Sequence, residues 1–246
     1  MTTFVTDTGL DVPAVTSAQM RELDRIAVEE TGPNLLQMME NAGRGLAELA
    51  LERLGSAFGA ASVLVLAGPG GNGGGGLCAA RHLANRGVQV RVCLTEPNRL
   101  TEAPAWQRRI LAGTAAREVT AAALGAPDLV LDALLGYGLR GPARGETTRL
   151  IEWANAWRAP ILSLDLPSGV EATSGEAPGS HVRAAATLTL ALPKTGLAAP
   201  SAHAAVGDLF LADLGIPEAA YARLGLPHRS PFGARWRVPL RPASRP

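Results

Sequence analysis

Residues 62–77 read Ser-Val-Leu-Val-Leu-Ala-Gly-Pro-Gly-Gly-Asn-Gly-Gly-Gly-Gly-Leu, and no other stretch constrains the fold so tightly. Val63 to Leu66 form an apolar run of strand type, and a loop that is nearly all glycine follows. A helical pattern then begins at Leu77, runs through Cys78, Ala79, Ala80, Leu83 and Ala84, and stops near Gly87. Glycine permits positive φ and close backbone approach to a ligand, while the N–H groups at a helix start attract anions. The stretch therefore reads as a phosphate or pyrophosphate site. A structural turn from strand to helix favours glycine as well, and both readings stand at this point.

Two helical segments precede this unit. Thr16 and Gln19 have the spacing of a capping box, after which Met20, Leu23, Ile26 and Ala27 share a face until Gly32-Pro33. The second spans Leu35 to Leu54, with Leu35, Met38, Met39, Ala42, Leu46, Leu49 and Ala50 at helical spacing. Strands are expected at 88–94, 129–131, 160–164, 186–191 and 208–212, and helices near 105–111, 147–157 and 218–224. Continuous apolar strands between helices indicate an α/β fold with a mainly parallel sheet covered on both faces.

A length of 246 residues suits one such domain. The net charge of +1 gives no support to a broad nucleic-acid surface. Cys78 and Cys93 lack metal-type spacing and read as reduced core residues, which fits the cytoplasm. The first residues lack a basic-then-apolar leader, and no apolar run reaches the ~20 residues needed to cross a bilayer. Residues 225–246 intersperse proline (227, 231, 239, 242, 246) with arginine (229, 235, 237, 241, 245) and read as a solvated, partly disordered tail. Phe232, Trp236 and Leu240 recur every four residues, which offers the alternative of a docking arm.

In an open parallel sheet, ligands bind beyond the carboxyl ends of the strands. Asn72, Asp132 and Asp165 each follow a strand, with glycine-rich loops between them. Asp165-Leu166-Pro167-Ser168-Gly169 offers a carboxylate at a strand end, a stiffened turn and a hydroxyl, a sensible way to fix an acid–base group. The Asn72 amide, Asp132 carboxylate and Ser168 hydroxyl are oxygen ligands suited to a hard cation, whereas the scattered His82, His181, His203 and His228 suggest no zinc site. Lys194 reads equally as a phosphate contact or a solvated lysine in a turn.

These segments occur in the order of a known family. Thr16–Arg25, Met39-Glu40-Asn41-Ala42-Gly43-Arg44, the glycine loop, Val130–Leu139, Asp165–Gly169, Lys194–Leu197 and Gly207–Pro217 together resemble the YjeF N-terminal domain, the NAD(P)H-hydrate epimerase family. The resemblance covers about residues 14–220, which leaves 1–14 as an N-terminal extension, 15–224 as the domain and 225–246 as the tail. It implies a three-layer Rossmann-like sandwich, often a homodimer. It also implies interconversion of the R and S epimers at C6 of hydrated NADH or NADPH (NADHX, NADPHX), partnered by a separate dehydratase. Carried over by position, Asn72, Asp132 and Ser168 match potassium-site residues. Gly71, Asn72, Gly73, Gly74 and Gly75, together with Gly136, Tyr137, Gly138, Leu139, Arg140, Gly141 and Pro142, match the substrate-binding loops. Asp165 matches the acidic residue at the nicotinamide hydrate and is the expected catalytic residue. Two departures stand out: Gly71 and Gly75 replace the usual Asn and Asp, and Tyr137 stands where a small Thr is common. A catalytically silent ligand-binding or scaffold homologue, or a different nucleotide-using enzyme, would use the same fold.

Overall fold

The computed structural model describes residues 2–226 and 229–243; expectations that fall on Pro227, His228, Arg245 and Pro246 lie outside these. Among the described residues the strands are β1 (Thr3–Thr6), β2 (Asp11–Pro13), β3 (Ser62–Ala67), β4 (Gln89–Leu94), β5 (Arg117–Glu118), β6 (Leu129–Ala133), β7 (Ile161–Leu164), β8 (Ala186–Leu190), β9 (Asp208–Ala212) and β10 (Arg237–Pro242). The α-helices are α1 (Ser17–Ile26), α2 (Leu35–Leu54), α3 (Gly71–Ala84), α4 (Glu102–Leu111), α5 (Gly145–Ala156), α6 (His203–Val206) and α7 (Glu218–Arg223).

All the strands join one sheet in the order β2-β1-β10-β9-β8-β7-β6-β3-β4-β5. From β9 to β5 every neighbouring pair is parallel; β10, β1 and β2 extend the β9 side antiparallel. Side chains alternate across β3: Val63, Val65 and Ala67 join the core with α2 and α3, while Leu64 and Leu66 join the opposite core with Leu150, Ile151 and Ala154 of α5. Three layers result, as expected for a Rossmann-like sandwich. The chain order reverses between β3 and β6, and an open α/β sheet of this kind presents its ligand crevice at that switch point.

Three expectations are corrected. The helix after β3 starts at Gly71, not Leu77, so the glycine run forms its first turns. A Cβ at Gly73 would collide with the Gly68 carbonyl, one at Gly75 would come within 2.6 Å of Leu164, and one at Gly76 within 2.5 Å of Ala133. Close packing of helix on sheet therefore outweighs glycine's poor helix propensity, about 1 kcal/mol per residue. Second, residues 237–242 are not a solvated tail: β10 lies between β9 and β1, with Val238 and Leu240 buried. Phe232 is also buried, whereas Trp236 is 63 % exposed, so the expected four-residue stripe is not a docking face. Third, the N-terminal extension supplies β1 and β2, so boundaries at 14 and 225 do not separate independent parts. Within α2, Leu35 stays exposed while Met38, Met39, Ala42, Leu46, Leu49 and Ala50 are buried. No helix among the described residues is long and apolar enough to cross a membrane.

Candidate active site

At the switch point lies a cavity of about 630 Å³. One wall is the start of α3 (Gly70, Gly71, Asn72, Gly75), and another is the loop after β6, Leu134–Arg140. Asp165 and Lys194 line it from the ends of β7 and β8, and Met20, Arg21 and Asp24 from α1. Gly70 caps α3 with extended backbone and no side-chain hydrogen bond, and the first backbone bond of the helix joins the Gly74 N–H to the Gly70 carbonyl. The amides before Gly74 thus have no intrahelical partner, the arrangement that favours an anion.

Asp165 has φ +68°, a left-handed conformation that a non-glycine residue rarely adopts. The Leu166 N–H bonds back to the Leu164 carbonyl across this tight turn. The neighbouring strand repeats the device: Ala191 has φ +59°, and Leu192 N–H bonds to the Leu190 carbonyl. Such strain persists where surrounding structure enforces it, commonly at sites that act on ligands. Here the paired turns bring the buried Lys194 ammonium to 2.5 Å from Asp165 Oδ1 and 2.9 Å from the Leu190 carbonyl. The other Asp165 oxygen accepts the Tyr137 N–H at 3.0 Å. Lys194 is therefore neither a phosphate contact nor a solvated turn residue; its charge is spent on Asp165.

Tyr137 extends this network, its ring 5.9 Å from the Lys194 ammonium and its hydroxyl donating to Asp24 Oδ2. Burial, then the adjacent Asp24 carboxylate, push the Tyr137 phenol up. Burial pushes the Asp24 carboxyl up as well; the Tyr137 hydrogen bond and the Lys194 charge oppose this, and the Asp165 charge reinforces it. The α1 helix reaches the site because the segment before it docks beside β8: Val15 N–H bonds to the Pro193 carbonyl, and Thr195 N–H to the Val15 carbonyl. Asp24 escaped the sequence reading. Its signal was a carboxylate four residues after Met20, on the face that also carries Leu23 and Ala27.

Asp132 and Ser168 sit behind the cavity wall, buried. Asp132 accepts from Ser163 Oγ (2.8 Å), Ser168 N–H (2.9 Å), Ser168 Oγ (2.5 Å) and Leu134 N–H (3.3 Å). Burial nevertheless drives its carboxyl up against those bonds. Ser168 Oγ also accepts the Leu135 N–H at 2.9 Å, and Asn72 Nδ2 donates to the Leu135 carbonyl at 3.0 Å. Asn72, Asp132 and Ser168 are thus joined through Leu135. Asn72 Oδ1 is buried without a partner. An orphaned amide oxygen near an all-oxygen set that includes a carboxylate suits a hard cation.

The cavity gathers Gly71, Asn72, Gly75, Gly136, Tyr137, Gly138, Leu139, Arg140 and Asp165; Gly73, Gly74, Gly141 and Pro142 do not line it. His82, expected as a scattered residue, joins Cys78 on Glu40: His82 Nε2 is 2.8 Å and Cys78 Sγ 3.2 Å from its oxygens, with Arg81 at 2.5 Å. This cluster links α3 to α2 and adds nothing to the cavity lining.

A doubly covered parallel sheet with a ligand crevice at its switch point, walled by a glycine-rich helix start and holding a strained acidic residue, defines a Rossmann-like small-molecule site. Residues 35–196 match the family described as "YjeF-related protein N-terminus", and the chain belongs to that family. It is 52 % identical over 240 residues to the NAD(P)H-hydrate epimerase of Dehalogenimonas lykanthroporepellens, covering 96 % of each chain. It is 36 % identical to the NAD(P)H-hydrate epimerase of Rhodopirellula baltica, covering 85 % of this chain and 86 % of that one. The bifunctional NAD(P)H-hydrate repair enzyme Nnr of Moorella thermoacetica is 34 % identical, and the match spans 89 % of this chain but 46 % of that protein. The crystal structure of yeast ynu0 shares the fold, with a TM-score of 0.79 over 93 % of this chain and all of that one, at 22 % identity.

Proposed function

We propose that the chain is an isomerase, an NAD(P)H-hydrate epimerase that interconverts the R and S epimers of NADHX and NADPHX. The observation that carries this reading is the Asp165–Lys194 pair in the switch-point cavity, within a family whose similar members bear that name. Asp165 is the catalytic acid–base group, and the Lys194 ammonium holds it in place. Gly71, Asn72, Gly73, Gly74 and Gly75 form the first turn of α3, whose unpartnered amides, those before Gly74, meet the diphosphate. Gly136, Tyr137, Gly138, Leu139 and Arg140 form the other side of the substrate site, and Gly141 and Pro142 continue their loop outside the cavity lining. The Asn72, Asp132 and Ser168 oxygens would hold potassium, which supplies a positive charge that keeps the buried Asp132 ionised.

An NAD(P)H-hydrate dehydratase completes cofactor repair as the functional partner. The protein works in the cytoplasm, as a homodimer. One observation favours the alternative, a silent nucleotide-binding homologue: Leu164 fills the space that a side chain at Gly75 would need. Equilibration of a purified epimer, followed by separating R from S in potassium and in choline buffer, tests the reading. Accelerated equilibration that depends on potassium supports it. A spontaneous rate in both buffers leaves the silent homologue.

A further inference from the structure

Two carboxyl groups line the cavity, and the proposed function uses one of them. Asp165 is committed on both oxygens, to Lys194 and to the Tyr137 N–H. Asp24 is committed on one: Oδ2 accepts the Tyr137 hydroxyl, while Oδ1 has no hydrogen-bond partner among the described residues. Tyr137 thus ties the two carboxyls together, its amide on one and its phenol on the other. Building on the epimerase reading, we propose that Asp24 is a second acid–base group, acting on the C6 hydroxyl from the α1 side of the cavity.

Epimerisation by loss and return of water needs a proton donor for the departing oxygen and an acceptor for the arriving one. Asp24 supplies a proton to the C6 hydroxyl. The C6–O bond breaks, its electron pair leaves with the oxygen as water, and the N1 lone pair forms the N1=C6 bond. A water oxygen adds to the other face of C6, the N1=C6 π pair returns to N1, and the surplus proton passes to the Asp165 carboxylate. One proton has moved from Asp24 to Asp165; Asp165 releases it to solvent water and Asp24 takes one up from solvent before the next turnover, which restores both groups. The environments suit these roles. Asp165 sits against a buried ammonium, the natural companion of a carboxylate, and burial favours the neutral acid at Asp24. The groups that face Asp24 are the Tyr137 phenol from the loop after β6, Lys194 and Asp165 from the strand ends, and Tyr221 from α7; Arg21 lies one turn earlier on α1.

The test is the pH–rate profile of the wild type beside Asp24→Asn, Asp24→Glu and Tyr137→Phe, with thermal melts to confirm folding. Wild-type kcat falls at alkaline pH as Asp24 loses its proton. Asp24→Asn lowers kcat by about 100-fold or more, leaves KM within a few-fold and abolishes that alkaline limb. Asp24→Glu restores the limb. Tyr137→Phe keeps it and moves it to higher pH, because the bond that stabilises ionised Asp24 is gone. Wild-type kcat in Asp24→Asn, or a reduced kcat with an unchanged profile, overturns the proposal and reduces Asp24 to a support for Tyr137. An inactive wild type overturns the epimerase reading itself, and the role of Asp24 with it.

Discussion

Asp165 and Lys194 form a buried ion pair in the cavity proposed for acid–base work, and their pairing has a measurable energetic consequence. Both side chains are almost fully buried, so neither charge has water to fall back on. Removing one member of such a pair strands the other, at a cost of about 3–5 kcal/mol. Lys194→Met is therefore expected to lower unfolding stability by about that amount in a denaturant titration. The double variant Lys194→Met/Asp165→Asn should recover much of the loss, because no lone charge remains. Asp165 was legible in the sequence because a carboxylate at a strand end followed by Pro167 and Ser168 is a specific pattern. Its partner was not. Lys194 lies 29 residues away, and only the β7–β8 pairing and two left-handed turns bring the groups together.

The helix α3 shows how one sequence feature carries two meanings. Gly73 to Gly76 are tight because α3 presses on Gly68 in the loop after β3, on β3, β6 and β7, and on α2, whereas a Cβ at Gly71 would meet nothing within 4 Å. Gly73→Ala should therefore destabilise the protein by more than about 1 kcal/mol despite alanine's better helix propensity, while Gly71→Ala stays within about 0.5 kcal/mol. Parallel thermal melts check the contrast. The same helix is clasped to α2 through Glu40. Burial opposes ionisation there, but hydrogen bonds from Arg81, Cys78 and His82 hold the Glu40 carboxyl down at about 2. Burial also keeps the His82 imidazole below its usual value, so it meets Glu40 as a neutral ring.

Both shifts have the same sign for stability. Glu40 stabilises above the ordinary carboxylate value of 4.5 and loses its contribution as pH falls towards 2. His82 begins to cost stability as pH falls below 6.5, where the unfolded chain takes up the proton. Stability should thus decline from about pH 6.5 downwards, and Glu40→Gln should flatten the part below 4.5. Urea titrations at a series of pH values read both slopes. The boundaries of α2 were legible because apolar spacing and capping are local signals. The true start of α3 was not, because glycine's low propensity hides a helix that tertiary packing enforces.

The two ends of the chain complete the sheet, so the whole fold depends on segments that look dispensable. The ion pair between Arg235 and Asp7, at 2.6 Å, joins them directly, and β10 bridges β9 to β1. A chain ending at Leu226 would expose the β9 edge and lose the burial of Phe232, Val238 and Leu240. At about 1.5–3 kcal/mol for each large apolar side chain, it should lose at least about 4 kcal/mol or become insoluble. A melting temperature equal to that of the full chain would show that β10 contributes nothing to stability. Proline and arginine in this segment obscured its role: an alternation of two, exposed Arg241 against buried Val238 and Leu240, marks the strand, and a search at helical spacing passes over it. The parallel strands β3, β4, β6, β7, β8 and β9 were legible because their apolar runs are continuous, whereas β5, the exposed Arg117 and Glu118, carries no apolar run to find.

Inversion of C6 of a nicotinamide hydrate, carried through Asp165, is the act proposed for the switch-point cavity. A mixture of NADHX epimers, supplied with an S-specific dehydratase in potassium buffer, reads that act as NADH recovery by absorbance. The wild-type chain should speed recovery from the R epimer well beyond the spontaneous rate, and Asp165→Asn should remove about 100-fold or more of that acceleration. Recovery at the spontaneous rate with folded wild-type protein, or an Asp165→Asn variant as fast as the wild type, would refute it.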